Sequence, residues 1–218
     1  MRKDLKEILS NGSLQAGVKL SEVELQAFEV FLDEIRTWNR RINLTGIKDD
    51  RGIVIKHFLD SLFITPLVSE SEEILDVGTG AGFPGIPLKI VKPSLKLTLM
   101  EASAKKVGFL KHIRRMLGLR DLNIIKGRAE SFKGRMSFDK VVSRATGRLC
   151  DGIKMMEGLL RDGGIYLVMK GKRGVLDWES IDMKKKGRWR LEGVHTYRLP
   201  FVDIERSVLI LRLGEGST

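Results

Sequence analysis

The glycine-rich segment ILDVGTGAGFPG, residues 74–85, constrains the fold of this chain more than any other feature. A short apolar run leads into it, and Gly80, Gly82 and Gly85 satisfy the G-x-G-x-x-G pattern of a nucleotide-binding turn. Such a turn joins a strand to a helix at the carboxyl edge of a doubly wound sheet. The segment therefore predicts a Rossmann-like α/β domain with a ligand site at that edge.

The periodicity around this segment agrees with that fold. From residue 73 onward, short β-favouring runs alternate with helical patterns, which is typical of a mostly parallel sheet with helices on both faces. Two later runs favour an antiparallel pair that closes the sheet. The predicted strands are 73–77, 95–101, 122–126, 138–143 and 164–169, the predicted helices are 84–91, 103–117 and 147–160, and the closing pair is 190–197 and 207–213.

The first 70 residues have a helical pattern instead. Ser21 and Glu24 form a capping-box signal, and apolar residues follow at helical spacing to about Arg40. A second helix is predicted over 53–68. We therefore expect an N-terminal helical segment, 1–70, packed on a doubly wound α/β domain, 71–218.

Charge is unevenly distributed along the chain. The net charge is +11, and residues 1–70 contain 10 Lys/Arg against 11 Asp/Glu, whereas residues 71–218 contain 29 against 17. A basic domain of this kind indicates a polyanionic partner, most often nucleic acid. A generally basic surface without such a partner is the alternative interpretation.

Composition favours a globular cytoplasmic protein. Hydrophobic residues make up 42% and charged residues 31% of the 218 positions. No apolar run approaches the roughly 18 residues of a membrane span, and no secretory signal is visible. A single cysteine, Cys150, excludes an internal disulfide and a cysteine-based metal cluster. We expect no membrane association, no metal and a monomeric state.

The ligand of the glycine loop is best distinguished by charge. A Walker-type phosphate loop requires Lys and Ser/Thr after its last glycine, but Ile86 and Pro87 stand there. A dinucleotide is closer, because Glu101 can accept hydrogen bonds from ribose hydroxyls. Against a pyrophosphate, Asp76 places a negative charge beside the loop, and Pro84 lacks an N–H donor.

S-adenosylmethionine reverses this electrostatic argument. It carries an ammonium and a sulfonium group, so the Asp76 carboxylate favours it. Gly78, Gly80 and Gly82 allow the backbone to approach the ligand closely. The alternatives are that Asp76 only caps a turn and that the glycines only permit a tight bend.

Six segments of the chain form a combined signature: DVGTGAGFPGIPL at 76–88, EASAKKVGFL at 101–110, GRAE at 127–130, SRA at 143–145, WNRRINLTGI at 38–47 and KHFLDSL at 56–62. Together these motifs resemble the ribosomal RNA small subunit methyltransferase G family, once called glucose-inhibited division protein B. The resemblance implies a bacterial enzyme that methylates N7 of one guanine in 16S rRNA, with S-adenosylmethionine as donor and S-adenosylhomocysteine as product. The chain departs from the family pattern at 146–149, where Thr-Gly-Arg-Leu places the local loop shape in question.

The resemblance also implies roles for individual residues. Gly78 and Phe83 would line the cofactor loop, and Glu101 would hold the ribose. Ala129 and Glu130 would lie beside the adenine. Arg144 would face both the methyl donor and the target. With the loop residues, the predicted cofactor site comprises Asp76, Gly78, Gly80, Gly82, Phe83, Glu101, Ala129, Glu130 and Arg144.

The chemistry of guanine N7 suits what the sequence contains. N7 has an exposed lone pair and no proton, so methyl transfer to it requires no general base. The Pro-Pro-aromatic motif typical of amine methyltransferases does not occur after the fourth predicted strand, where SRAT stands. The planar Arg144 fork can bind guanine O6 or a phosphate. A surface ion pair is the alternative for Arg144.

Candidate RNA contacts come from two basic stretches. Lys105 and Lys106 open a basic helix, and a second stretch includes a KKKGRWR run with interleaved tryptophans. Aromatic rings among cations can stack on unpaired bases, although such runs are often solvated and tryptophans often buried. The candidates of the second stretch are Lys170, Lys172, Arg173 and Trp189.

His57 and Asp60 fit two interpretations equally. They lie on one face of a predicted helix, where they can cover the site together with Asn39 and Asn43, or cap turns that join the N-terminal segment to the sheet.

The sequence is also compatible with three other functions. The chain can methylate another RNA position or a small molecule, or it can be a non-catalytic RNA-binding assembly factor that retains a cofactor pocket. A dehydrogenase is the third.

Overall fold

A seven-stranded mixed sheet organises the molecule in the computed structural model, which describes residues 1–144 and 147–215. The strands are β1 Glu73–Val77, β2 Lys96–Glu101, β3 Leu122–Lys126, β4 Phe138–Arg144, β5 Leu160–Gly171, β6 Trp189–Leu199 and β7 Ile204–Leu213. Their order is β3-β2-β1-β4-β5-β7-β6. The first five strands are parallel, and β7 pairs antiparallel with β5 and β6. The predicted fold class is confirmed.

Helices cover the sheet and form the N-terminal segment. They are α1 Lys3–Gln15, α2 Glu22–Asn39, α3 Asp50–Ile53, α4 Asp60–Leu62, α5 Gly85–Val91, α6 Ala104–Met116, α7 Leu149–Met156, α8 Gly174–Glu179 and α9 Met183–Lys186. The Ser21 capping box that starts α2 forms as predicted, with both reciprocal hydrogen bonds present. Single-turn 3-10 helices occur at Thr65–Leu67, Ala129–Phe132 and Glu157–Leu159.

The helix predicted over 53–68 forms, but it spans 50–62 and its centre is π-helical. A π-helix, Val54–Leu59, follows α3, and the short α4 and the 3-10 turn at Thr65–Leu67 come after it. Pro66 contributes to the end of helical structure, because proline has no N–H to donate. Isolated π-helical turns are rare and often occur at functional sites.

Strand β5 begins four residues before its predicted start. Phe138 pairs with Leu160, but Lys140 pairs with Ile165, so the register shifts between them. Gly163, with φ 75°, lies inside this bulge. Two adjacent glycines at 163–164 indicate a turn in the sequence, whereas in the fold they fit an irregular strand.

Aromatic side chains join the N-terminal segment to the sheet domain. The Phe31 ring of α2 lies 5.4 Å from Phe83, 5.3 Å from Phe58 and 6.3 Å from Phe109, between ring centroids. Each such pair adds about 1 kcal/mol beyond burial of its apolar area. One hydrophobic core therefore includes residues from both sides of position 70. The division at 70 stays a prediction.

Within the described residues, no helix has both the length and the apolar character that crossing a bilayer requires.

Candidate cofactor and target site

Hydrogen bonds to Asp76 close the glycine loop after β1. The Thr79 hydroxyl donates to Asp76 Oδ2 at 2.6 Å, and the Gly85 amide donates to the same oxygen at 2.9 Å. A Cβ at Gly85 would overlap the Leu99 side chain and lie 2.9 Å from Asp76 Oδ2. Only glycine therefore lets α5 begin this close to the carboxylate.

Asp76 retains an oxygen without a partner. Its side chain is completely buried, and among the described residues nothing hydrogen-bonds to Oδ1. Burial raises the pKa of Asp76 to about 6. Asp76 does cap the turn, but one buried carboxylate oxygen has no partner among the described residues, so its charge can stabilise a positively charged ligand at the loop.

The backbone beside this carboxylate is open at Gly78, whereas Gly82 is buried and a Cβ there would overlap the Ile86 side chain, so Gly82 permits packing within the protein. Gly78, Gly80 and Gly82 all have positive φ angles, 69°, 63° and 97°. A Cβ at Gly78 would meet no atom within 4 Å, and Gly78 is exposed. An unpartnered buried carboxylate oxygen beside open glycine backbone fits a cationic ligand such as S-adenosylmethionine.

Glu101 ties the end of β2 to the loop. Its Oε2 accepts from the Gly80 amide at 3.0 Å, and its Oε1 accepts from the Ser103 amide at 2.8 Å. Each carboxylate oxygen has a second lone pair that a ribose hydroxyl can use. The Gly127 amide donates to the Glu101 carbonyl, so the turn that includes buried Ala129 and exposed Glu130 begins beside Glu101.

Arg144, the last residue of β4, lies over the Phe83 ring at 5.1 Å from its centroid. Its Nη1 donates to the Lys56 carbonyl at 3.2 Å and lies 3.6 Å from Asp60 Oδ2. Burial lowers the pKa of this guanidinium, while Asp60 and Asp76 oppose that shift. Phe83 is buried, so it supports Arg144 and does not line open space as a free side chain.

Asp60 is the centre of a buried polar network. Its Oδ1 accepts from the Tyr197 hydroxyl at 2.9 Å and from Arg206 Nε at 3.3 Å. Arg144 approaches the other oxygen. Burial raises the pKa of Tyr197. One carboxylate of the N-terminal segment therefore contacts β4, β6 and β7 together.

His57 stays neutral at physiological pH. Burial and the charge of Arg144 lower its pKa to about 3. Its ring stacks on Phe83 with centroids 4.5 Å apart, and Nε2 lies 2.7 Å from Thr45 Oγ1. His57 and Asp60 line the candidate site, whereas Asn39 caps its own loop by accepting from the Leu44 and Thr45 amides.

A cavity of about 360 Å³ opens beside these residues at the carboxyl edge of β4 and β5. Ile47 and Met169 give it apolar walls. Its polar lining consists of Lys56, His57, Asp60, Arg144, Lys170 and Arg206.

The predicted RNA contacts have different environments. Lys105 is exposed at the start of α6, Lys106 beside it is half-buried, and Lys172 and Arg173 are exposed after β5. Lys170 lines the cavity.

The prediction that Trp189 contacts RNA is corrected by its burial. The ring is 4% exposed and packs 6.1 Å from Tyr166, between centroids. Because the Trp189 ring is packed inside the protein, it has no exposed face on which an RNA base could stack.

No group of His, Cys, Asp or Glu in the described residues has the arrangement of a metal site. Ala145 and Thr146, which belong to the SRA motif and to the departure at 146–149, lie outside the described residues.

Comparison with known proteins decides the family. The model of the family described as rRNA small subunit methyltransferase G matches residues 24–209. The chain belongs to this family. It is 39% identical over 214 residues to Ribosomal RNA small subunit methyltransferase G of Geobacter metallireducens, covering 97% of each chain. It is 35% identical over 218 residues to the Acetivibrio thermocellus protein of that name, covering 95% of this chain and 88% of the relative.

Solved structures of other proteins share the fold of this chain. TYW2 of M. jannaschii in complex with AdoMet has a TM-score of 0.56 at 12% identity, covering 72% of this chain and 75% of that chain. TrmN from Thermus thermophilus has a TM-score of 0.55 at 14% identity, covering 73% and 53%. At these identities the likeness shows the fold alone.

Two residues of the site belong to no recognisable sequence motif. Tyr197 and Arg206 lie in the β6–β7 hairpin, where alternation predicts strands but no chemistry. Only the hairpin pairing of Tyr197 with Arg206 brings both to Asp60.

Proposed function

We propose that this chain methylates N7 of a guanine in 16S ribosomal RNA of the small subunit and acts as a cytoplasmic monomer. Family membership supports rRNA methylation. The guanine-N7 target follows from the family resemblance and suits a site that requires no general base. The observation that carries the proposal is the position of Arg144 between the glycine loop and the cavity.

S-adenosylmethionine, when bound, supplies an electrophilic methyl group on a sulfonium and leaves as S-adenosylhomocysteine. The residues that would hold it are Asp76, Gly78, Gly80, Gly82, Glu101, Ala129 and Glu130, with Phe83 and Arg144 behind the loop. The unpartnered Asp76 oxygen would favour the positive charge, and Glu101, which accepts from the Gly80 amide, would also accept from a ribose hydroxyl.

Arg144 is placed to orient the target base. It follows Ser143, whose Cα pairs with Val77 of β1, so it stands at the same sheet edge at which the glycine loop begins. Its Nη1 is fixed on the Lys56 carbonyl. The remaining N–H groups of the planar fork suit guanine O6, which lies beside N7 on the same base edge.

No residue has to remove a proton from N7. The rate enhancement then comes from two effects. The site holds the base in line with the methyl donor, and its charged and polar groups are already placed to stabilise the charge that shifts during the transfer. Neutral His57 agrees with such a site, because it adds no positive charge beside Arg144. Exposed Lys105, Lys172 and Arg173 would follow the RNA phosphates.

Substitution of Arg144 tests this proposal. We expect Arg144→Ala to lower methyl transfer to bare 16S rRNA or small subunits by roughly 100-fold, because an oriented donor is lost. Cofactor affinity should change much less, since the glycine loop and Glu101 are untouched. The measurements are transfer of a labelled methyl group, mapping of the modified base, and calorimetry with S-adenosylhomocysteine.

Arg161→Ala is the matched control. Arg161 lies at the opposite end of β5 from the cavity. It is half exposed and pairs with Glu73 and Asp139. It should retain wild-type transfer. Equal transfer by Arg144→Ala and wild type, or a modified atom other than guanine N7, would contradict the proposal.

A further inference from the structure

Arg206 of β7 has binding capacity that the fold does not use. Its Nε contacts Asp60 Oδ1 at 3.3 Å, and within 1–144 and 147–215 its terminal guanidinium nitrogens make no hydrogen bond. The side chain is 28% exposed. A partly desolvated guanidinium with free donors is suited to bind an anion.

The cavity around Arg206 has an excess of positive charge. Lys56, Arg144, Lys170 and Arg206 line it against one carboxylate, Asp60. Lys170 is held 3.6 Å from Asp177 and donates to the Gly147 carbonyl. Asp60 alone therefore neutralises two arginines, and the excess positive charge suits a negatively charged group at Arg206, beside the base at Arg144.

A second cavity continues from the same residue. It has a volume of about 400 Å³, and its charged lining consists of Lys172, Arg198, Glu205 and Arg206. Lys172 and Arg198 are paired with Glu205, and Arg198 also pairs with Asp203. Arg206 thus lines both cavities. A phosphate bound by Arg206 would therefore have space on either side for the neighbouring nucleotides of a chain, whereas a single free base or nucleoside would require only one cavity.

We propose that Arg206 binds the backbone phosphate of the target nucleotide and that Asp60, together with Tyr197, positions Arg206 for this contact. This inference rests on the proposed function, whose target base lies at Arg144.

The network gives this subsite a fixed geometry. Asp60 places Arg144 on one carboxylate oxygen and Arg206 on the other, and the Tyr197 hydroxyl donates to the oxygen that Arg206 uses. Two contacts, on the base edge and on the phosphate, define the orientation of a nucleotide better than either alone. Asp60 is 3% exposed, so it acts through the arginines and does not contact RNA.

The salt dependence of RNA binding tests the assignment. An arginine that neutralises a phosphate releases counterions, so Arg206→Gln should lower the magnitude of the log Kobs against log salt slope by roughly 1. It should raise KM for 16S rRNA about tenfold with kcat within about twofold, because the base contact remains. Arg206→Lys keeps the charge and should restore the salt slope.

Arg212→Gln is the matched control on the same strand. Arg212 pairs with Glu192 and lines neither cavity, so KM and the salt slope should equal those of wild type. Melting temperatures of all variants identify any that unfold.

Three results would overturn the inference: an unchanged slope in Arg206→Gln, an equal loss in Arg212→Gln, or a fall in kcat without a rise in KM. The slope is read from RNA binding alone. Failure of the proposed function, seen as no methyl transfer by wild type, therefore remains distinguishable from failure of this phosphate contact.

Discussion

Two buried aspartates whose charges both act on Arg144 have different partners. Asp76, at the end of β1, accepts only from the neutral Thr79 hydroxyl and Gly85 amide and leaves Oδ1 unpartnered in the described structure. Asp60, in α4, has two guanidiniums and a phenol around its two oxygens. Both are at most 3% exposed.

The two carboxylates therefore differ in function: that of Asp76 can attract a cation, whereas that of Asp60 already has cations of the protein beside it. Burial without a cationic partner raises the pKa of Asp76 to about 6, so its ionised form gains from a positive ligand. Asp60 has its cations within the protein and fixes their positions. In the proposed site, the cofactor half, which contains Asp76, and the target half, which contains Asp60, therefore use the same chemical group for opposite purposes.

The largest expected effect is that of Asp60→Ala. It leaves Arg144 and Arg206 partly buried without their shared carboxylate, which should cost about 3 kcal/mol of unfolding free energy. Methyl transfer should fall by at least roughly 100-fold, because both oriented arginines lose their anchor. Denaturant unfolding and labelled-methyl assays measure the two effects.

Asp60→Asn is the companion variant. It preserves the side-chain shape and one oxygen acceptor, so it should unfold at an intermediate denaturant concentration. If Asp60→Ala were as stable and as active as wild type, the network would not position the arginines.

An intermediate effect is expected from the ionisation of Asp76. A cationic ligand prefers the charged carboxylate, so wild-type affinity for S-adenosylmethionine should be about tenfold weaker at pH 5 than at pH 7.5. Asp76→Asn should bind weakly and show no such change. Calorimetry at the two pH values distinguishes the proteins, and a flat wild-type profile would contradict the electrostatic role.

Stability has the opposite pH dependence. The pKa of Asp76 rises from 3.8 to about 6 on folding. Its contribution to stability is therefore fully present below pH 3.8 and is lost as the pH rises through 6. Without ligand, wild type should lose about 1 kcal/mol between pH 5 and pH 8 that Asp76→Asn does not lose.

The smallest effect is that of Tyr197→Phe. It removes one hydroxyl donor from Asp60 Oδ1 but keeps the ring, which stacks on Phe63 with centroids 4.4 Å apart. We expect a loss of about 1 kcal/mol and a change in methyl transfer of less than about fivefold. A loss as large as that of Asp60→Ala would indicate that the tyrosine, and not the carboxylate, organises the network.

Sequence patterns predicted the sheet accurately where its signals are local. The strands at 73–77 and 122–126 have their predicted bounds, because each is a short apolar run between turn residues. The bounds of β5 were shifted by its bulge. The segment 53–68 was predicted as one helix, because its apolar spacing does not distinguish an α-helix from a π-helical turn.

The cofactor half of the site lies in short contiguous motifs, so the sequence alone indicated Asp76, the glycines and Glu101 and the kind of ligand they favour. Family membership confirms the enzyme class that these motifs predicted. The roles of the individual residues stay predictions. The burial of Trp189 shows the limit of predictions from such motifs, because the residue types in a basic run do not determine which face of a strand is buried.

The target half was decided by tertiary structure. Asp60, Tyr197 and Arg206 are separated by up to 146 residues along the chain, and no spacing rule links them. They meet because β7 enters the sheet antiparallel beside β5 while the π-helical turn before α4 crosses the same edge. Local sequence determines where strands and turns occur, whereas packing between distant elements determines which charges share a buried carboxylate.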